Sequence, residues 1–515
     1  MICRNPATGE VLEEIETTSI SALPNIFNQA RVAQIKWAAL SVAARSSRLI
    51  QLRETLLNRT DELIDLIVRE NGKPRHEALT SELIPVVDML TYFAKRAPAL
   101  LKDKPIPLTV MKHRKSYLNY WPIGVVAIIS PWNYPFMLPM GQILMALITG
   151  NAVIFKPSEE TPLVGLKIQT LYEEAGLPSN TIQTLIGDGA VGAAIIEQKP
   201  DKIFFTGSAM TGKKILSSAA QHLIPVNLEL GGKNAAIILP DANIDFASSA
   251  VLWGGFSNSG QICAAASRIL VHESIVDNFI SLLTKKIGSL RHGVSDSSQN
   301  DLAVITSGKQ KAVYENQINE AKALGARFIC GGAFSPDKTW LEPTIVTGPG
   351  VENLSIYNEE SFGPILVVTT FKSPAEAIEK VNNSRYGLVA SVITQNIALG
   401  EDIAKQLQVG TVMINEVVYT AGLAETPWGG VKESGMGRTH ADIGLYEFVN
   451  IRHIHKPRSR LFTFKSPWWF PYTPYQYLAF RSFIELYKRH WLDKLRIFPH
   501  FLMNLIQFIK KEKRL

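Results

Sequence analysis

Cysteine is scarce in this chain: 515 residues contain three, Cys3, Cys263 and Cys330. Three thiols argue against a disulfide framework, and no two stand as a Cys-x-x-Cys pair, so no metal site is expected. Long apolar runs are also missing from the body, where the hydrophobic stretches have the length of strands and not of spanning helices. The opening "MICRNPATGEVLEEIE" has no apolar h-region and carries acidic residues early. That predicts no signal or transit peptide and a reducing, cytoplasmic home. Internal repeats and low-complexity linkers are absent. Residues 1–457 even lack a charge excess. The net +7 comes from residues 458–515, which hold 12 Lys and Arg against 3 Asp and Glu, leaving the body at −2.

What is present is a regular alternation. Leu49, Leu52, Leu56, Leu63 and Ile67 recur at helical spacing, which predicts an amphipathic helix over 43–70. From residue 123 the runs "IGVVAII", "AVIFK", "TIQTLI", "KIFFT" and "VNLEL" read as strands with helical stretches between them. Such alternation predicts a parallel sheet covered by helices on both faces, with ligands at the carboxyl ends of the strands. The fold class is therefore α/β. A Rossmann-like cofactor domain is expected over 1–103 and 123–234, and an α/β catalytic domain over 235–425. Residues 104–122 read as a β-hairpin, and 444–457 as a late strand that could pair with it.

Several stretches are unusual for a core. "FSNSGQICAAASR" sets Cys263 among small residues, where either a buried structural thiol or a nucleophile would fit. "GDGAVG" (187–192) has the G-x-G-x-x-G spelling of a phosphate loop, and "FTGSAMTG" opens a helix at Gly207 and Ser208 directly after a strand. Both also fit plain strand–helix turns. "PWNYPF" fixes Asn133 at a strand's carboxyl end, and "FKPSEETP" does the same for Lys156 and Glu159. "LELGGKN" places Glu229 inside an apolar strand, where an isolated carboxylate is costly unless paired or protonated. Singly each has a bland reading as turn residue, solvated charge or satisfied acid. Together they converge on neighbouring strand ends.

These motifs, with "NEESFGPIL" and "PWGGVKESGMGR", occur in the order and at the spacing of the aldehyde dehydrogenase superfamily, which residues 1–457 resemble. The resemblance implies that Cys263 is the nucleophile, that Asn133 and the Cys263 N–H hold the oxyanion, and that Glu229 is the general base for hydrolysis. Coenzyme A-acylating relatives dispense with that glutamate, so a free acid is implied as product. For the cofactor it implies Lys156 and Glu159 at the adenosine ribose, and Gly207 and Ser208 at the pyrophosphate. Trp132 is implied along the dinucleotide, Glu360 at the nicotinamide ribose and Phe362 beside the ring. Glu159 favours NAD, while Lys156 leaves NADP possible. Thr439 departs from the pattern, since many members carry there a glutamate thought to relay protons. Gly141 also departs, either opening the entrance or packing a helix closely.

The tail, 458–515, holds 15 of the 45 aromatic residues. Phe480, Ile484, Tyr487, Trp491 and Leu495 fall on one helical face, with Arg481, Lys488, Arg489 and Lys494 displaced from it. This predicts an amphipathic helix over 477–495 that lies on an anionic membrane surface. It is similar in architecture to fatty aldehyde dehydrogenases with C-terminal anchors. No nucleic-acid partner is expected, because the aromatics form a stripe and not a stacking platform. The hairpin and late strand predict a homodimer or tetramer. The function expected is NAD(P)-dependent oxidation of an apolar or long-chain aldehyde. The rivals are a semialdehyde or amino-aldehyde dehydrogenase whose tail docks protein, and a catalytically silent structural relative.

Overall fold

The computed structural model describes residues 1–292, 300–463, 466, 468–487 and 490–512. Lys488, Arg489 and the last three residues lie outside the described set. Two compact units emerge: residues 1–102 with 120–452, and residues 103–119 with 453–515.

The first unit is built on two sheets. In the first, Val125–Ile129, Ala152–Lys156, Lys202–Gly207 and Val226–Leu230 are almost wholly buried. That explains their unbroken β-branched and aromatic composition, because each face meets a layer of helices. Spatially the order is Gly435–Met436, Val226–Leu230, Lys202–Gly207, Val125–Ile129, Ala152–Lys156, Ile182–Thr184. All pairs are parallel except the first. Chain order therefore reverses between Val125–Ile129 and Lys202–Gly207, and the crevice beyond their carboxyl ends is the place where such sheets bind ligands. The seven-stranded second sheet is parallel apart from its edge strand Arg327–Cys330. The chain passes from one sheet to the other through Gly231, Gly232 and Lys233, between Val226–Leu230 and Asn234–Ile238.

Three expectations are corrected. The helix predicted over 43–70 is two helices, Val42–Leu57 and Thr60–Asn71. The Thr60 hydroxyl donates to the Leu57 carbonyl across the break, and Arg59 leaves helical geometry at φ −116°. The apolar spacing continues on both sides because both helices face the same core. Residues 444–446, expected as strand, close the helix Ala441–Tyr446, and strand begins only at Val449. That helical turn sends Leu445 and Phe448 into full burial, with Phe448 stacked on Phe204 at 4.0 Å.

The third correction concerns the tail. Its second half is not one helix over 477–495 but two, Pro474–Glu485 and Trp491–Glu512. Thr473 and Gln476 form a capping box that starts the first. Phe483 meets Phe501 at 5.6 Å and Ser482 meets Asn504, so the helices pair through a small seam. Trp491, Leu492, Leu495 and Phe498 stay more than half exposed on the second helix. No helix among the described residues is long and apolar enough to cross a membrane.

The hairpin expected over 104–122 is present as Lys104–Ile106 antiparallel to Arg114–Pro122, and the latter neighbours Val449–Pro457. Ser116 bonds His455 at 2.7 Å.

Candidate active site

Cys263 ends a loop that folds tightly before the strand Ala266–His272. Asn258, Ser259 and Gly260 all adopt left-handed backbone conformations, at φ 47°, 51° and 69°. Buried partners hold this costly geometry. Glu77 accepts the Asn258 N–H and the Ser257 hydroxyl, and Ser259 donates to the Ala303 carbonyl at 2.6 Å. Gln261 donates to Val304 O and accepts from Thr306 N. Asn234 takes hold of the Cys263 carbonyl at 2.7 Å. Gly260 is obligatory, because a Cβ there would lie 2.2 Å from the Gly363 carbonyl oxygen.

The Cys263 thiol is pushed up to about 12, first by burial and then by Glu360 and Glu229. Glu229 sits on the strand Val226–Leu230 with neither carboxyl oxygen hydrogen-bonded. Burial drives its carboxyl well above the ordinary range, against a small opposing effect of Arg438. Asn133 follows the strand Val125–Ile129 at the reversal of the sheet. Its side-chain Nδ2 donates to Gln261 O at 3.0 Å, which ties it to the cysteine loop.

The other expected residues fall into two groups. Trp132 and Phe362 meet edge to face at 5.4 Å. Beside Phe362, Glu360 accepts the Gly232 N–H at 3.0 Å and lies flat on Gly231, where a Cβ would be 2.0 Å from its oxygen. Burial lifts the Glu360 carboxyl to about 7, with Gly232 and Lys233 opposing. The second group sits at the end of Ala152–Lys156. There Lys156 donates to Pro157 O, and Glu159 pairs with Lys309 at 3.1 Å. Lys156 is lowered by burial, with Glu159 and Asp188 opposing.

The two glycine motifs differ. Ser208 caps the helix Ala209–Ala220, which opens at the sheet's reversal directly after Gly207. In "GDGAVG" the helix start is filled by its own Asp188, bonded to Ala190 N, and Gly192 lies beside the Lys156 stem with room for a Cβ.

A cavity of about 650 Å³ joins Cys263 and Glu229. Tyr134, Leu138, Trp253, Phe256, Val418 and Trp428 give it apolar walls, and His76, Glu77, Gln142, Thr206 and His440 are among its polar lining. Among the described residues, the one arginine on its lining is Arg291, paired with Asp301 at 2.7 Å. Gly141 is not itself on the cavity lining. A Cβ on it would meet Met89 Sδ at 3.1 Å and His440 Nε2 at 3.4 Å, whereas its neighbours Leu138 and Gln142 line the cavity.

Sequence reasoning did not find the supporting set Lys73, Glu77, Glu82, Asn258 and Gln261. Lys73, Glu77 and Glu82 stand in the polar stretch "ENGKPRHEALTSEL", where a charge gives no sign of burial, and Asn258 and Gln261 read as turn residues of the cysteine loop. Nor did it find Lys233, which bonds Ser361 at 2.9 Å and is pushed by burial down to about 7.

This geometry agrees with comparisons to known proteins. Residues 1–454 match the model of the aldehyde dehydrogenase family. A 4,4'-diapolycopene aldehyde oxidase of a Methylomonas species is 38% identical over 93% of this chain and 90% of its own length. A Mycolicibacterium smegmatis protein named "Putative succinate-semialdehyde dehydrogenase [NADP(+)]" is 35% identical over 88% of this chain and 87% of its own. Among solved structures, a betaine aldehyde dehydrogenase of Staphylococcus aureus in complex with NAD+ superposes with a TM-score of 0.85 at 31% identity, covering 90% of this chain and 96% of that one. The chain belongs to the aldehyde dehydrogenase family.

Proposed function

We propose that the protein oxidises an apolar, long-chain aldehyde to the free carboxylic acid with NAD as the preferred cofactor and NADP as an alternative. The observation that carries this reading is a cavity with aromatic and aliphatic walls in which a thiol and an unpartnered, proton-avid carboxyl are the reactive groups. Cys263 Sγ attacks the aldehyde carbon, and its proton passes to Glu229, which with Glu360 is one of two carboxyls within electrostatic reach of the thiol and the one with neither oxygen hydrogen-bonded. The aldehyde oxygen becomes an oxyanion held by the Asn133 carboxamide and the Cys263 N–H, a stabilisation worth about 3–4 kcal/mol per donor. Loss of hydride from the thiohemiacetal leaves a thioester on Cys263. Glu229 gives up the thiol's proton to solvent before it acts again; as a carboxylate it then draws a proton from a water, the hydroxide attacks the thioester, and the acid departs as Glu229 returns that proton to the Cys263 thiolate.

The residues present fit a dinucleotide. A helix start capped only by Ser208 opens at the sheet's reversal, and a buried carboxyl, Glu360, rests on bare glycine backbone beside an aromatic pair. When bound, the nicotinamide supplies the hydride acceptor. Lys156 and Glu159 would hold the adenosine ribose, Gly207 and Ser208 the diphosphate, and Glu360 the nicotinamide ribose, with Trp132 and Phe362 alongside. The Glu159 carboxylate disfavours a 2′-phosphate, and Lys156 and Lys309 blunt that preference.

The substrate class is supported by the apolar lining and by the relative named for a carotenoid aldehyde. A carboxylated aldehyde would need a free cation in the cavity, and Arg291 is engaged by Asp301. The exposed aromatic stripe of Trp491–Glu512, on a tail with 12 basic residues, fits attachment to an anionic membrane surface from which such a substrate would be drawn. The strand-edged sheet of the hairpin fits a homodimer or tetramer. A panel of aldehydes followed by NADH formation, with and without anionic liposomes, tests the reading. Long-chain aldehydes should give the highest kcat/KM, and preference for succinate semialdehyde would overturn the substrate class.

A further inference from the structure

Lys73 and Glu82 form an ion pair with no solvent exposure on either side chain, at 2.6 Å. Buried pairs of this kind are poor stabilisers, since apolar replacements of similar volume often do as well or better. The remaining bonds of this pair show what it holds. Lys73 Nζ also donates to the Asn133 backbone carbonyl at 2.9 Å and lies 4.0 Å from the centre of the Tyr134 ring. Glu82 Oε2 accepts the N–H groups of Phe136 at 3.1 Å and Met137 at 2.7 Å, at the start of the helix Met137–Ile148. One ion pair thus grips the chain at both ends of the segment 133–137. Asn258, from the cysteine loop, donates to the same Asn133 carbonyl at 3.1 Å. Glu82 and Glu77, the acceptor for that loop, are five residues apart. Between them the chain enters the π-helical turn Ala78–Leu83, a rare geometry often found at functional sites.

From this arrangement we propose that Lys73 and Glu82 are positioning residues for the oxyanion site. They fix the backbone from which the Asn133 carboxamide reaches the aldehyde oxygen, and hold it in register with the Cys263 loop. Neither lines the cavity, so neither touches the substrate. The inference rests on the reading of Asn133 as an oxyanion donor, and it adds that the donor's placement depends on a second layer reaching across from another helix. Displacement of a reacting group by about 1 Å can cost on the order of a hundredfold in rate.

The test is a set of full-length variants followed by stopped-flow formation of NADH with a soluble aldehyde. Asn133→Ala measures the donor itself. The pair is removed as the uncharged, near-isosteric double variant Lys73→Met/Glu82→Gln, which keeps an acceptor for Phe136 and Met137. The expected result is a burst slowed roughly tenfold or more, with unchanged NADH binding by fluorescence and unchanged KM for NAD. Adding Asn133→Ala to the pair variant should slow the burst no further than Asn133→Ala alone. Multiplying effects would overturn the proposal, and so would a wild-type burst in the pair variant. A slow burst in the pair variant alongside a wild-type burst in Asn133→Ala would instead sink the oxyanion reading, and with it the placement argument. If the double variant does not fold, Glu82→Gln alone is read by the same non-additivity criterion.

Discussion

At the scale of single residues, the proposed chemistry turns on two groups, Cys263 and Glu229, that burial makes hold their protons more tightly than usual. Burial raises the Glu229 carboxyl well above the ordinary range, so hydrolysis of the thioester should accelerate as pH rises through a value above that range. Glu229→Gln should remove that limb and give one burst of NADH per site followed by a stall, measured by pre-steady-state absorbance across pH. Steady turnover at the wild-type rate would refute its role. Cys263→Ser should be silent in the same assay, whereas Cys3→Ser and Cys330→Ser should leave kinetics almost unchanged. Glu360 carries a stability signature. Its carboxyl is lifted from 4.5 to about 7, so the folded protein binds the extra proton, and that contribution is complete below 4.5 and lost as pH rises through about 7. Lys233, lowered to about 7, acts in the opposite sense only above that pH. The Tm of Glu360→Gln should therefore fall less than that of wild type between pH 5 and 7. The residues expected at substrate and cofactor drew notice in the sequence because their motifs sit at strand ends. Lys73, Glu82 and Asn258 did not draw notice, because the backbone groups they hold lie 54 to 125 positions away in sequence.

At the scale of elements, the cysteine loop is the most constrained piece of backbone. Gly260→Ala would force a Cβ against the Gly363 carbonyl at a left-handed position, a combination that costs at least about 1–3 kcal/mol in backbone strain alone. The variant should show a lowered denaturation midpoint and no titratable active-site thiolate burst. Unchanged stability would mean that the loop tolerates another path. The buried strands were read correctly because hydrophobic runs of five residues have few alternatives once helices flank them. Helix boundaries were harder. The break after Leu57 leaves the apolar period intact, since two consecutive helices bury the same face, and only Asn58, Arg59 and Thr60 mark it. The turn Ala441–Tyr446 escaped as well. Its last residues run without a break into the strand-like "FVNIRHIHK", and the burial of Leu445 and Phe448 goes with a helical turn before that strand.

At the scale of the whole molecule, a nearly neutral body carries a tail of net charge +9. Binding to anionic liposomes should therefore weaken steeply with salt, as counter-ions screen the basic residues within about 10 Å at 0.1 M. The double variant Trp491→Glu/Leu495→Glu should fail to float with liposomes even at low salt, yet oxidise a short soluble aldehyde at the wild-type rate. Flotation equal to wild type would assign the stripe to another partner. The stripe also bears on how the catalyst counts its substrate. A long-chain aldehyde dissolves in lipid, and an enzyme resting on that lipid meets it as a mole fraction within the film. Adding inert phospholipid at fixed total aldehyde should then slow turnover by surface dilution, whereas adding buffer should not. For the stripe-deficient variant the dependence should invert, with volume setting the rate.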